Sequence, residues 1–349
     1  MYFCVMFTRM MRYFCLFFVV FMSACRDVTP PATSFYYWKT VFGLRPYERE
    51  LLATHQVDRL YIRYFDVVQR HDDTGTRPDA TVVFRDSIPA GMEVVPVVFI
   101  VNDALVESPA DSMEVLARHI YSRIGSINRK YRIANVPEIQ MDCDWNASTR
   151  DKYFTLLHAM RVLLQRDSLQ LSATLRLHQL KYRKTTGIPP VDRVTLMCYN
   201  MGRLTEYGTR NSILNVAEVQ DYMNGVGIYP LPVDVALPLF SWGVCFGSNQ
   251  RYRGLINGLS EADMQPTCFT KIAPGMYRAD SAFVLRGAYI RKGDHVRLEE
   301  PSIGEIQQVA QIVASQIKTS QYVVWYHLDS LLLQKYHDHE LQKTVDMFR

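Results

Sequence analysis

The chain has 349 residues, 48% of them hydrophobic, and a formal net charge of +4. That apolar content suffices for a sizeable core, and the charge is too small for the basic footprint of a nucleic-acid binder. The seven cysteines form no CxxC pair and no spacing typical of a structural zinc site, so neither a metal centre nor a cofactor is expected.

The first 24 residues read as a secretory signal. Arg9 and Arg12 give a basic start, and Tyr13 to Phe21 is an apolar run too short for a comfortable membrane span. Met22-Ser23-Ala24-Cys25 follows, and the small residues before Cys25 resemble a bacterial lipobox. The resemblance implies a lipidated Cys25 and a membrane-anchored lipoprotein of a bacterial cell envelope. An ordinary cleaved signal or a membrane anchor is the alternative. Residues 25–34, with Pro30 and Pro31, read as a tether. The folded domain is then 35–349. Without residues 1–24 the net charge is +2, and the 325 remaining residues suit one β/α barrel with insertions.

Strand-like runs recur along this domain. Phe35 to Phe42 is the first, followed by a short helix over Tyr47 to His55. Leu60 to Val67 is the second, with Arg63 and Asp66 near its end, and the polar stretch His71 to Pro89 reads as a loop or small hairpin. Val94 to Val101 is continuously apolar, as in a strand covered on both faces. A capping pattern at Asp111 to Glu114 opens a helix to about Arg129. Glu138 to Cys143, Leu171 to Leu177 and Arg193 to Asn200 are the next three strands. Asn211 to Gly225 is a helix, Val233 to Phe246 holds the seventh strand and its loop, and Tyr322 to Leu328 is the eighth. Eight strands mostly alternating with helices predict a (β/α)8 TIM barrel, with a doubly wound sheet as the alternative. Met276 to Leu298 alternates like an antiparallel hairpin, which predicts a small β insertion over about 276–298, between the seventh strand and its helix.

The fourth strand carries the chemistry. Asp142 and Asp144 are two residues apart, so a strand presents both on one face, about 6.5–7 Å apart. They stand at the strand's C-terminal end, where β/α barrels place their active sites. Two close carboxylates push their pKa values apart, which suits acid/base work. Capping of the following helix is the bland alternative for them. A partner from another strand end, Asp66 or Glu206, would complete a pair flanking a bond.

The stretches EIQMDCDW (Glu138 to Trp145), LSATLRLHQL (Leu171 to Leu180), VDRVTLMCYNMG (Val191 to Gly202) and DVALPLFSWGV (Asp234 to Val244) resemble the uncharacterised lipoprotein-type β/α barrels of domain of unknown function 3142. That likeness implies a barrel and an envelope location, and no known reaction. A more distant likeness is to the family 18 glycoside hydrolases, the chitinase group. Their fourth strand carries D-x-x-D-x-D-x-E. Here Asp142 and Asp144 match the second and third Asp, Ile139 replaces the first, and Asn146 replaces the general-acid Glu. Their M-x-Y-D motif becomes Met197, Cys198, Tyr199, Asn200, and Trp325 matches the tryptophan that floors their sugar site. An amide cannot protonate a leaving group, so the standard chitinase mechanism is not expected.

Two functions follow as expectations, beside a third reading as a structural envelope protein whose barrel mouth would be filled. One is hydrolysis of a glycosidic bond in a polysaccharide or glycan, with Asp142 and Asp144 as the catalytic pair and Asn146, Arg176, His178, Tyr199, Asn200, Trp242 and Trp325 binding substrate. The other is a non-catalytic carbohydrate-binding lipoprotein that has lost the acid. Arg176 also has the option of an ion pair with Asp144. Basic and aromatic residues after the fifth to seventh strands (Lys181 to Lys184, Arg203, Tyr207, Arg210, Arg251 to Arg253) suggest a rim for acidic glycans, with pairing to nearby acids as the alternative.

Overall fold

A run such as Val94-Val95-Pro96-Val97-Val98 has no polar face to offer water and must be covered on both sides. The chain meets that demand eight times. The computed structural model describes residues 30–69, 76–317 and 321–349. Its barrel strands are β1 (Ala32–Tyr37), β2 (Arg59–Gln69), β3 (Glu93–Ile100), β4 (Glu138–Cys143), β5 (Gln170–Arg176), β6 (Arg193–Met197), β7 (Val233–Pro238) and β8 (Tyr322–Tyr326). Each pairs in parallel with its successor, and β8 pairs back onto β1. The sheet closes, and the predicted (β/α)8 barrel is the fold.

Helices cover the outside where their apolar spacing is helical. Met113–Tyr131 buries Met113, Ala117, Ile120, Ile124 and Ile127, one stripe at i, i+3, i+4 spacing. Arg150–Gln165 follows β4, Val216–Met223 follows β6, and Ile303–Ala314 precedes β8. The β2–β3 connection carries no helix among its described residues. There Thr76–Asp79 folds back antiparallel onto β2, and Val83–Phe84 pairs with Val41–Phe42. Residues 70–75 of the expected loop, and the expected signal and Cys25, lie outside the described residues.

Two expected boundaries shift. The tether was placed at 25–34, yet Ala32, Thr33 and Ser34 are strand, opposite Tyr322, Val323 and Val324. Ser34 tolerates full burial because its hydroxyl donates to the Arg59 carbonyl at 2.8 Å. The insertion is also larger than 276–298. Trp242–Phe246, Tyr252–Asn257, Phe269–Ala273, Met276–Ala279 and His295–Glu299 form one antiparallel sheet, and Phe283–Leu285 pairs with Ala288–Ile290 in a hairpin. Cys245, Ile256, Leu259, Phe269, Tyr277 and Val296 give this sheet its own core. Only Leu239, Phe240 and Ser241 separate β7 from its first strand, so the sequence reads as one run.

The barrel interior is polar in layers, because alternate residues of every strand point inward. At the floor Arg59 lies 3.0 Å from Glu138 and 2.7 Å from Glu93, and Arg193 lies 3.0 Å from Asp234. Above it, Gln140 accepts from the Tyr36 hydroxyl at 2.6 Å and donates to Thr195 at 3.0 Å and Ser172 at 3.3 Å. Asp142 begins the next layer, at the mouth.

Candidate functional site

Asp142 is the last inward residue of β4 and only 3% exposed. The Thr174 hydroxyl on β5 donates to its Oδ1 at 2.6 Å. Burial pushes its pKa up to about 6; Asp144 and Asp66 add to the rise, and Arg176 and the Thr174 bond oppose it. A carboxyl tuned this way exchanges its proton near neutrality, which general acid/base chemistry needs.

Asp144 lies beyond the strand and is exposed. Arg176 at the end of β5 grips it with two parallel bonds, Nε to Oδ1 and Nη2 to Oδ2, the latter at 2.9 Å. Of the two options for Arg176, the ion pair is the one adopted. Burial disfavours the guanidinium charge, but Asp144 and then Asp142 outweigh it, and the Arg176 pKa rises. The two aspartates therefore share one cation, and their roles differ: one is buried and tuned, the other exposed and neutralised. Of the further acids, Asp66 is held by Arg63, with Nε to Oδ1 at 2.7 Å. Glu206 is exposed on the loop after β6.

Asn146 directs its side-chain oxygen into its own turn. Its Oδ1 accepts from the Ser148 amide at 2.8 Å, the Ser148 hydroxyl at 2.6 Å and the Thr149 amide at 3.3 Å. It folds the turn that starts the helix Arg150–Gln165, as Asn side chains do. Trp145 is fully buried, stacked on Tyr153, with Nε1 donating to the Thr186 carbonyl at 2.9 Å.

The mouth opens into a cleft of about 400 Å³. Trp38, Phe240, Trp242 and Tyr326 give it aromatic walls; Arg63, Asn200, Ser241, Asn257, Arg286, His327 and Asp329 supply polar groups. Of the expected binding residues, Asn200 and Trp242 line it. Trp242 is fixed by its indole N–H donating to Glu299 at 2.7 Å. Tyr199 is buried beneath it, 5.0 Å ring to ring from Tyr326, and its hydroxyl has no hydrogen-bond partner among the described residues. His178 is exposed on the short helix Leu177–Lys181 and lies outside the cleft lining.

Trp325 is a correction. It is fully buried and does not line the cleft. Strand alternation explains why: its neighbour Tyr326 faces the interior, packing on Tyr36, Trp38, Tyr199 and Phe240. Position 326 is the aromatic floor, one residue from the expected place. Parity was the available signal, since Tyr322 and Tyr326 stand four apart and share a face. Trp38, Phe240, Ser241 and His327 were missed because each lies just past a strand end, where no periodicity marks it.

Four of the cationic rim residues are engaged, two by acids and two by backbone carbonyls. Arg210 binds Glu218 at 2.6 Å, Arg253 binds Asp294, Arg183 donates to the Ile228 carbonyl at 2.9 Å, and Lys181 donates to the Asp221 carbonyl.

No family model matches the chain, so the resemblance to domain of unknown function 3142 finds no support there. No curated protein matches it by sequence. Solved structures do match by shape. The C-terminal domain of a chitinase-type protein from Desulfitobacterium hafniense DCB-2 superposes with a TM-score of 0.57 at 11% identity, covering 92% of this chain and 100% of that one. The spore cortex-lytic enzyme SleL of Bacillus megaterium QM B1551 gives 0.53 at 13% identity, over 93% of this chain and 76% of that one. A chitinase from Chromobacterium violaceum ATCC 12472 gives 0.51 at 11% identity, over 90% and 99%. At such identities the match shows the fold alone: this chain has the (β/α)8 barrel shape that these solved structures share.

Proposed function

We propose that the barrel binds a glycan and does not cleave it by the family 18 route. One observation carries this reading. The aromatic cleft is built at the strands' C-terminal ends, while the residue at the family 18 acid position, Asn146, is tied into its own turn and does not line the cleft. Aromatic faces stack on sugar rings, and the polar groups between them bond hydroxyls. The other acids near the mouth are committed: Asp144 to Arg176, Asp66 to Arg63, and Asp329 to Lys39 at 3.4 Å. Hydrolysis is the second reading, favoured by Asp142 alone, a buried acid outside the cleft lining whose raised pKa suits a proton donor. Screening the purified chain against a glycan panel, for binding and for release of reducing ends, separates the two. Binding without release is expected. Release that Asp142→Asn abolishes would replace the binding reading with the hydrolytic one.

The anchor belongs to the same proposal. Cys25 carries a lipid and holds the barrel at a bacterial envelope membrane. The motif Met22-Ser23-Ala24-Cys25 supports it. Cys25→Ser should leave the precursor unprocessed or release the protein from membranes; unchanged fractionation would defeat it.

A further inference from the structure

The mouth holds two polar atoms that the acids do not explain. Ser241 follows β7, lines the cleft and is 3% exposed, and its Oγ is buried without a hydrogen-bond partner among the described residues. His327 follows β8 and lines the same cleft, and its Nδ1 is likewise buried and unpartnered. Buried polar side chains usually find a partner. Other unpartnered atoms of the described residues belong to side chains that do not line this cleft, whereas these two line one opening, which points to a ligand that completes them.

The charges around them are already matched. Arg63 holds Asp66, with Nε to Oδ1 at 2.7 Å. Arg286 grips Asp263 with two bonds, 3.2 and 3.1 Å. Asp329 pairs with Lys39. Burial pushes the His327 imidazole down to about 4, so it is neutral in the working range. Each charged side chain lining the cleft thus has a counter-ion, and the groups left to recognise a ligand are uncharged. An anionic sugar entering here would lose its hydration without gaining a free cation.

We propose that Ser241 and His327 are the polar half of a saccharide subsite that selects uncharged rings. Ser241 Oγ and His327 Nδ1 bond ring hydroxyls or an amide substituent, the imidazole donating or accepting according to its tautomer. Trp242 and Tyr326 hold the ring's apolar face. The proposal rests on the glycan-binding reading, and it reverses the acidic-glycan expectation drawn from the rim residues.

Calorimetry with the full chain tests it, using cellotetraose and tetra-N-acetylchitotetraose as neutral probes and tetragalacturonate and a sulfated tetrasaccharide as acidic ones. A neutral probe should bind best, with affinity nearly independent of salt. Ser241→Ala should weaken it roughly three- to tenfold with unchanged melting, the usual worth of one hydrogen bond. His327→Phe keeps a ring and removes Nδ1, and should weaken it similarly. If Ser241→Ala alters folding, Ser241→Cys gives the same comparison with a weaker bonding group. Tighter, salt-sensitive binding of an acidic probe overturns the subsite proposal and leaves glycan binding standing. So does neutral binding that neither variant changes. Failure of every probe to bind overturns the glycan reading itself and the subsite with it.

Discussion

The floor and the mouth of the barrel both bury charge, and they treat it differently. At the floor Arg59 faces Glu138 and Glu93, and Arg193 faces Asp234, whose Oδ1 also accepts the backbone amides of residues 321 and 322 at 2.9 Å. Opposite charges meet in fixed pairs, and no cleft described above opens onto them. At the mouth Asp142 is buried with a neutral hydroxyl as its bonding partner, while the nearby cation is gripped by Asp144. Buried side-chain atoms without a hydrogen bond occur in both layers, on Glu138, Arg193 and Asp234 at the floor and on Tyr199, Ser241 and His327 at the mouth, but only those of Ser241 and His327 belong to residues that line the cleft. The lesson is that a polar interior alone does not mark a site. The floor's polarity fixes the barrel; the mouth's tuned acid, aromatic walls and open cleft mark the place where a ligand completes the structure.

The largest effect should come from breaking the floor. Arg59→Ala leaves Glu138, which is fully buried, without its 3.0 Å partner. Breaking a buried pair from one side costs about 3–5 kcal/mol, whereas replacing both partners with apolar residues of similar volume is close to neutral. Urea unfolding of Arg59→Ala beside the double variant Arg59→Met, Glu138→Leu measures the contrast. Equal stability of wild type and Arg59→Ala would dissolve the distinction drawn between the two layers.

The mouth has its own signature in pH. Asp142 has a folded pKa of about 6, above the ordinary unfolded value of about 3.9. An acid raised in this way binds its proton more tightly when folded. Its contribution to stability is complete below about pH 4 and is lost as pH rises through about 6, because the carboxylate must then be charged and buried. Near pH 7 the difference amounts to at most about 3 kcal/mol. Asp142→Asn should stabilise the fold at neutral pH and flatten the slope between about pH 4 and 7. Unfolding curves across that range check it; an unchanged slope would place the titration elsewhere.

The same contrast explains what the sequence disclosed. Strands were legible because two-sided burial writes itself as an apolar run: Val94 to Val101 and Leu171 to Leu177 need no tertiary knowledge. Asp142 was legible because a carboxylate at the end of such a run is out of place. Trp325 went wrong because a motif match places a residue by position, whereas the alternation that joins Tyr322 to Tyr326 puts the inward face one residue further on. Ser241 and His327 were invisible because nothing local distinguishes a buried, orphaned hydroxyl from a capped one. The start of the insertion at Trp242 was hidden by apolar residues that run through from β7. Asn146 was legible as standing where the family 18 pattern has its acid, and its role as a turn residue depends on bonds to Ser148 and Thr149 that the same stretch makes only when folded.

Binding should respond to the walls by a smaller amount. Trp242 lines the cleft and is held by Glu299, which also accepts from Ser212 and Arg297. Trp242→Ala should lower affinity for a bound oligosaccharide roughly tenfold, about the worth of one stacked ring. Trp242→Phe keeps a stacking face and loses only the Glu299 bond, so it should retain most of the affinity. If both variants bind equally poorly, the indole acts through Glu299 and the loop it holds, and the wall assignment falls.

The smallest effect is expected at Asn146, and it separates turn from site most cleanly. The side-chain oxygen accepts three bonds from Ser148 and Thr149 at the entry to the helix Arg150–Gln165. Its backbone carbonyl accepts the Arg150 amide at 2.9 Å. Thr149 is the N-cap of that helix, and loss of the turn bonds that hold it costs about 1 kcal/mol, the net worth of a hydrogen bond. Asn146→Ala should therefore lower stability by that amount and leave oligosaccharide affinity unchanged. Asn146→Asp keeps the accepting oxygen and adds negative charge near a helix N-terminus, so stability should hold or rise slightly. It should also confer no hydrolysis, because the oxygen is committed to the turn. The opposite pattern, unchanged melting with weakened glycan binding in Asn146→Ala, would return position 146 to the mouth and make the asparagine a ligand contact.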